Sequence, residues 1–142
     1  STLRRMSYAG DVSPQQTWDS LASDPDAVLV DVRTEAELTF VGRPDLSSIG
    51  KQIVGIQWTG YPGGERNANF LADLEGHGIT RETPVYFLCR SGVRSVAAAT
   101  EATAGGWTRA YNVIDGFEGE FDDQGRRQVS GWKVAGLPWR QD

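Results

Sequence analysis

Two apolar runs, broken only by Asp31, most constrain how this chain can fold. Residues 27–32 read AVLVDV and residues 84–89 read PVYFLC, and turn-forming residues bound the first run. A strand with one face in water would alternate apolar and polar side chains, and these runs do not. A continuous apolar run of this length is typical of a strand buried on both faces, as in a parallel sheet covered by helices.

Helix signals lie between the apolar runs. Ser13 followed by Pro14 predicts a helix start, and Thr34 with Glu37 has the pattern of a capping box. Further helices are predicted over residues 68–75 and 93–104, and further strands over residues 9–12, 53–56 and 110–113. This alternation predicts an α/β fold of three layers, with a central parallel sheet of about five strands and helices on both faces.

The length of the chain favours one domain. The chain has 142 residues, within the roughly 100–150 residues most common for a single domain. We therefore expect residues 1–142 to form one domain, with residues 1–7 as a loose tail because they show no periodic pattern. The aromatic residues that follow Gly116 are expected to cover the core.

The charge balance restricts the class of partner. The chain carries 19 acidic and 14 basic residues, for a net charge of −5. Nucleic-acid binding needs clustered Lys and Arg, so this balance argues against such a partner. No apolar stretch approaches the ~20 residues that a membrane helix requires. We expect no membrane partner and a cytoplasmic location, provided that no targeting segment was removed before Ser1.

The chain has one cysteine, Cys89, and one histidine, His77. A single cysteine excludes an internal disulfide and a cysteine-cluster metal site, and a single histidine excludes most histidine-based zinc sites. We therefore expect neither a metal nor a cofactor. His77 lies between two glycines in a predicted turn, which favours a surface position over a catalytic one.

Cys89 ends a predicted buried strand, and a predicted helix begins a few residues later. Ligands of open α/β sheets bind at this carboxyl edge. In the connecting loop, Gly92 allows the backbone N–H groups to curl inward, and together with a helix N-terminus they would form an anion site. Arg90 and Arg94 would make its mouth positive. Such a site favours the thiolate form of Cys89 at neutral pH and needs no histidine base.

A plainer interpretation is that Cys89 is a small buried hydrophobic residue, as free cysteines often are. The segment that follows argues against it. A loop with a glycine between two arginines, Arg90 and Arg94, has no evident packing purpose.

At this loop the sequence resembles the rhodanese family. Residues 89–95, CRSGVRS, are similar to the six-residue active-site loop of catalytic rhodaneses plus the serine that follows it. Residues 30–37, VDVRTEAE, are similar to the family's D-x-R strand end, and residues 113–116, VIDG, to its strand-to-glycine turn. The ending, GWK and GLP within residues 131–138, fits as well, so the resemblance covers nearly the whole chain.

The resemblance implies a sulfurtransferase. Cys89 would take the outer sulfur of a small anionic donor such as thiosulfate as a persulfide and pass it to a thiophilic acceptor such as cyanide or a thiol. The loop would bind the donor through the residues that follow the nucleophile: Arg90, Ser91, Gly92, Val93 and Arg94. The resemblance implies structural support of the loop by Asp31, Arg33 and Ser95.

The chain departs from the family pattern near the expected mouth of the pocket. Residues 50–56 read GKQIVGI where the family commonly has G-H-I-x-G-A, and a Gly/Pro-rich loop follows. Trp58, Tyr61 and Arg66 in and beside this loop are candidates for the pocket entrance. Packing of the two aromatic residues against neighbouring loops is the alternative.

Two other functions compete with sulfur transfer. A tyrosine-type phosphatase or arsenate reductase also uses a cysteine in an anion site, but phosphatases have five residues between Cys and Arg, whereas four separate Cys89 from Arg94. The smaller ring suits a sulfur atom better than a tetrahedral phosphate. The other alternative is a non-catalytic rhodanese-like binding module, and the retained cysteine argues against it.

Overall fold

We describe a computed structural model of the chain, covering residues 8–59, 65–90, 93–118 and 131–141. The strands are β1 (Gly10–Val12), β2 (Val28–Asp31), β3 (Arg43–Pro44), β4 (Val54–Gly55), β5 (Val85–Leu88), β6 (Ala110–Val113) and β7 (Trp139–Arg140). The helices are α1 (Pro14–Ser23), α2 (Glu35–Phe40), α3 (Phe70–Gly76) and α4 (Val93–Ala104), and a short 3-10 turn covers Ser47–Ile49. The loose tail predicted for residues 1–7 lies outside the described residues.

The main sheet has five strands in the order β1-β6-β5-β2-β4, and all its pairings are parallel. The two strands predicted from the apolar runs, β2 and β5, lie next to each other near the centre of the sheet. Strand β1 forms one edge of the sheet and β4 the other. The carboxyl ends of β2, β5 and β6 therefore meet along one side of the molecule.

The side chains of β5 alternate between two cores, which explains its uninterrupted apolar sequence. Val85 and Phe87, with Cys89 just beyond the strand, pack into one cluster, and Tyr86 and Leu88 pack into the other. The first cluster also contains side chains of α3 and α4, and the second contains Leu21 of α1. Helices thus cover both faces, and the predicted three-layer α/β fold is confirmed.

Local sequence signals account for two of the helix starts. The side chain of Ser13 accepts a hydrogen bond from the backbone N–H of Gln16, and Gln16 bonds back to the Ser13 N–H. Thr34 and Glu37 form the same reciprocal arrangement at the start of α2. Both capping boxes satisfy backbone donors that a helix start would otherwise leave without partners.

The small antiparallel sheet of β3 and β7 is not anticipated by the sequence analysis. Arg43 pairs with Arg140 and Pro44 with Trp139. Strands of two residues show no periodic pattern, so only the fold can reveal them. Nearby, Trp132 is fully buried and packs edge-on against Trp18 with ring centroids 6.1 Å apart, so part of the tail covers the core as expected.

Among the described residues, no helix has the length and apolar character needed to cross a membrane.

Candidate active site

Cys89 lies immediately after β5, at the carboxyl edge of the sheet, and is only 1% exposed. Helix α4 begins four residues later, at Val93, whose side chain is 76% exposed. Ser91 and Gly92 lie outside the described residues, so their part in the loop remains a prediction. The strand end and the helix start place Cys89 and the N-terminus of α4 on the same side of the sheet.

Ser95, in the first turn of α4, places a polar side chain beside the sulfur of Cys89. Its Oγ lies 3.2 Å from the Cys89 Sγ, and Ser95 is fully buried. The Ser95 hydroxyl also donates a 2.6 Å hydrogen bond to Oδ1 of Asn112 in β6. Asn112 is not among the site residues predicted from the sequence, although a lone amide side chain in an otherwise apolar strand is a usable signal.

Arg94 is held by Glu37, the second residue that the sequence analysis did not place in the site. The two terminal nitrogens of Arg94 donate hydrogen bonds of 2.7 and 2.8 Å to the two carboxylate oxygens of Glu37. Burial alone would raise the pKa of Glu37, but hydrogen bonds from Arg94 and the Thr34 backbone, with the charges of Arg94 and Arg33, lower it to about 2. The usable signal was the capping box, which fixes Glu37 in the first turn of α2.

The pKa of Arg94 is raised above its usual value. The hydrogen bonds with Glu37 are the main cause and outweigh burial, and the charges of Glu37, Cys89 and Asp31 act in the same direction. Arg94 therefore keeps its positive charge beside Cys89 throughout the working pH range. Its predicted role in recognising the donor remains a prediction.

Arg90 points to the surface and is also paired. Its Nε donates a 2.7 Å hydrogen bond to Glu118, and its side chain is 44% exposed. Each of the two loop arginines, Arg90 and Arg94, thus faces one carboxylate. This corrects the expectation of a positive mouth: across the described residues, the charges of these arginines are balanced locally.

Asp31 and Arg33 form a buried ion pair below the site. The Nε and Nη2 atoms of Arg33 lie 2.9 and 2.7 Å from the two carboxylate oxygens of Asp31, and both side chains are fully buried. The guanidinium also stacks over the ring of Phe117, 4.3 Å from its centroid. Because the backbone N–H of Phe117 donates a 2.7 Å hydrogen bond to the Cys89 carbonyl, this pair is connected to the nucleophile's backbone.

The turn after β6 fixes the backbone that carries Cys89. Gly116 has a φ of +58°, and a Cβ on it would lie 2.6 Å from the carbonyl carbon of Arg90 and closer still to the Cys89 carbonyl oxygen. The next N–H groups, of Phe117 and Glu118, donate to the carbonyls of Cys89 and Arg90 at 2.7 and 2.9 Å. Only glycine allows this approach, since it lacks a Cβ.

The candidate entrance residues are placed in part. Trp58 lies at the carboxyl edge, where its backbone N–H donates a 3.0 Å hydrogen bond to the Val32 carbonyl. Its ring packs edge-on against Phe70 at 5.1 Å, and the guanidinium of Arg66 stacks over it at 4.8 Å while pairing with Glu101. These contacts describe packing for Trp58. Tyr61 lies outside the described residues.

Comparison with known proteins agrees with this architecture. Residues 9–142 match the family model of the STR4 middle domain. The chain is 54% identical to the Rv0390 protein of M. tuberculosis, whose crystal structure superposes with a TM-score of 0.86 and covers 95% of this chain and 99% of that one.

Two relatives of known sequence extend the comparison. The protein RC0915 of Rickettsia conorii is 38% identical over 125 residues, which are 88% of this chain and 92% of that protein. The rhodanese-like domain-containing protein 4 of Arabidopsis thaliana is 29% identical over 128 residues, but these make up only 25% of its length. With its parallel five-stranded sheet and its match to the STR4 middle domain over almost the whole sequence, this chain belongs to the rhodanese-like domain family.

Proposed function

We propose that this protein is a sulfurtransferase in which Cys89 carries the sulfur. The observation that supports this most strongly is the position of Cys89 itself, buried at the end of β5 with the start of α4 and the charged Arg94 beside it. A helix N-terminus and a nearby cation stabilise a thiolate, which is the reactive form of cysteine.

The proposed reaction has two steps. The Cys89 thiolate attacks the outer sulfur of thiosulfate, a new S–S bond forms, and the sulfur–sulfur bond of the donor breaks with its electron pair leaving on sulfite. Cys89 then carries a persulfide whose terminal sulfur is negatively charged. An acceptor such as cyanide or a thiolate attacks that terminal sulfur, and the bonding pair returns to Sγ to regenerate the thiolate.

The burial of Cys89 favours a narrow donor. With the residue 1% exposed, we expect a reactant to reach the sulfur end-on. The single terminal sulfur of thiosulfate fits such an approach better than a phosphate ester does. In this proposal, the backbone N–H groups of residues 90–94 hold the terminal persulfide sulfur, and Arg94, oriented by Glu37, recognises the anionic end of the donor.

The chain offers a direct test by intact-protein mass spectrometry. Because Cys89 is the only cysteine, a thiosulfate-dependent mass gain of one sulfur atom that cyanide removes again is assigned to it without peptide mapping. Cys89→Ser is the matched control and should stay at its unmodified mass while keeping the wild-type circular dichroism spectrum.

Further results decide between the proposal and its alternatives. An unchanged mass after exposure to thiosulfate and to polysulfide would favour the binding module. Hydrolysis of a phosphate ester by the wild type, abolished in Cys89→Ser, would favour the phosphatase. Release of sulfite by the wild type with loss of that activity in Cys89→Ser would support sulfur transfer.

A further inference from the structure

A chain of side-chain hydrogen bonds connects Cys89 to the edge of the sheet. It runs from the Cys89 Sγ to Ser95 Oγ (3.2 Å), then to Asn112 Oδ1 (2.6 Å). From Asn112 Nδ2 it continues to Asp11 Oδ1 (2.9 Å), which also accepts from the Tyr8 hydroxyl (2.8 Å). This series of hydrogen bonds crosses α4, β6 and β1. Its inner members, Cys89, Ser95 and Asn112, are at most 3% exposed.

The carboxylate of Asp11 fixes the direction of the inner hydrogen bonds. A carboxylate only accepts, so the group of Asn112 that faces it must be the NH₂. The amide oxygen of Asn112 then faces Ser95 and, because it has no proton to give, the Ser95 hydroxyl must donate to it. A hydroxyl has one proton, so Ser95 Oγ offers only a lone pair to Cys89.

Tyr8 agrees with this direction at the outer end. Burial, together with the hydrogen bond to Asp11 and its negative charge, raises the pKa of Tyr8 to about 12. The phenol therefore stays protonated at neutral pH and donates to Asp11. Every donor in this series of hydrogen bonds points toward Asp11. A Cys89 thiol whose S–H donates to Ser95 continues the same direction at the inner end.

We propose that Asp11 and Asn112 are positioning residues that turn the Ser95 hydroxyl proton away from Cys89, which disfavours the free thiolate relative to the sulfur-loaded persulfide. This inference deepens the proposed function, since it concerns the unloaded and loaded states of the same cysteine.

The charge on Sγ decides how each state of Cys89 fits this arrangement. A thiolate gains from each hydrogen-bond donor, but the Ser95 hydroxyl can donate to it only by rotating away from Asn112, which leaves a buried amide oxygen without the Ser95 proton and costs free energy. In the persulfide the charge lies on the terminal sulfur, and Sγ is an uncharged bridging atom. Ser95 can then keep its hydrogen bond to Asn112.

Other charges also act on Cys89 and must be separated from this effect. Across the described residues, Arg94 of α4 interacts electrostatically with Cys89 and is paired with Glu37 of α2, and the Asp31–Arg33 pair lies at the carboxyl end of β2. At the strand end itself, the Arg90–Glu118 pair lies at the surface. The test below leaves all of these groups unchanged.

The experiment measures the rate of thiol alkylation by iodoacetamide as a function of pH, in protein free of bound sulfur. Asn112→Ala removes the acceptor of the Ser95 proton, so the Ser95 hydroxyl is free to donate to the Cys89 sulfur. We expect the pH of half-maximal alkylation rate to fall by about one unit, the effect of one hydrogen bond to a charged group. In the Ser95→Ala background, Asn112→Ala should no longer shift this midpoint.

A second variant does not depend on replacing a buried residue. Asp11→Asn, at an exposed position, can present an NH₂ to Asn112, which lets the Asn112 amide turn over and donate to Ser95. We expect Asp11→Asn to lower the midpoint by less than Asn112→Ala does. The same substitution in the Ser95→Ala background should lower the midpoint by a smaller amount. Tyr8→Phe is the matched control: it removes a partner of Asp11 without affecting Asn112, and the midpoint should not move.

The inference is overturned if Asn112→Ala and Asp11→Asn both leave the midpoint within about 0.2 pH units of the wild type. The inference is also overturned if the two substitutions shift the midpoint as much in the Ser95→Ala background as they do in the otherwise wild-type protein. If Asn112→Ala does not fold, Asp11→Asn decides alone. Because alkylation needs no sulfur donor, midpoints that move as stated support the inference even if thiosulfate never loads Cys89 and the proposed function fails.

Discussion

The guanidinium of Arg94 and the carboxylate of Glu37 meet through two parallel hydrogen bonds of 2.7 and 2.8 Å. The two residues are 57 positions apart in the sequence, and each lies in the first turn of its helix, α4 and α2. The pair therefore joins two helix starts at the carboxyl edge of the sheet, close enough to Cys89 for the charges of Arg94 and Cys89 to interact. Arrangements of this bidentate kind are geometrically specific, so Glu37 fixes the orientation of Arg94 as well as balancing its charge.

Glu37 should make the stability of the protein depend on pH in the acid range. Its pKa is about 2 in the folded protein and 4.5 in the reference state, so its contribution is complete above pH 4.5 and is lost as the pH falls toward 2. We expect Glu37→Gln to lower the free energy of unfolding at pH 7 by about 2 kcal/mol, and by much less near pH 3. Urea unfolding at both pH values measures the difference. Glu35→Gln, an exposed neighbour in α2, should show no such loss, and an equal effect of Glu37→Gln at both pH values would contradict the assignment.

Replacing Arg94 by lysine should slow sulfur loading. Lysine keeps the charge but cannot form the planar two-point contact with Glu37, so the cation is no longer fixed beside Cys89. We expect the rate of sulfite release from thiosulfate to fall by about tenfold or more. Arg81→Lys, remote from the site and paired at the surface with Glu75, is the control and should load at the wild-type rate. An Arg94→Lys variant that is as fast as the wild type would show that charge alone suffices.

Gly116→Ala should damage the site far more than Gly136→Ala. Both glycines have positive φ values, +58° and +77°, so both substitutions carry backbone strain. A Cβ at Gly136 meets nothing within 4 Å, whereas at Gly116 it meets the carbonyls of Cys89 and Arg90. We expect Gly136→Ala to cost about 1 kcal/mol and to keep its sulfur loading, and Gly116→Ala to lose both stability and loading. Thermal unfolding and the thiosulfate mass gain measure the two effects, and similar behaviour of the two variants would refute the close approach.

Asp31→Asn should strongly destabilise the fold because it leaves the buried charge of Arg33 without a counterion. Both side chains are fully buried, and removing one partner of such a pair costs about 3 kcal/mol or more. Glu75→Gln breaks a surface pair with Arg81 whose side chains are both about half exposed, and should cost less than about 1 kcal/mol. Denaturant midpoints of the two variants provide the comparison, and a loss as small for Asp31→Asn as for Glu75→Gln would show that Arg33 is satisfied by its other contacts.

Much of the fold could be predicted because its signals are local. The runs that became β2 and β5 are apolar on both faces, and the capping boxes at Ser13 and Thr34 depend on residues three positions apart. Helix α4 has the predicted limits, Val93–Ala104. The pairing of β3 with β7 could not be predicted, since each strand has two residues and their partners lie at distant points of the chain.

Local sequence patterns are enough to place Cys89 after a buried strand and before a helix, since hydrophobic periodicity and loop composition are properties of neighbouring residues. The groups that surround Cys89 and Arg94 depend instead on how distant parts of the chain fold together. Glu37 reaches Arg94, and Asn112 reaches Ser95, because parallel strands bring their carboxyl ends to one edge regardless of separation in the sequence. Burial then makes these contacts matter, since away from water a polar group must find its partner within the protein.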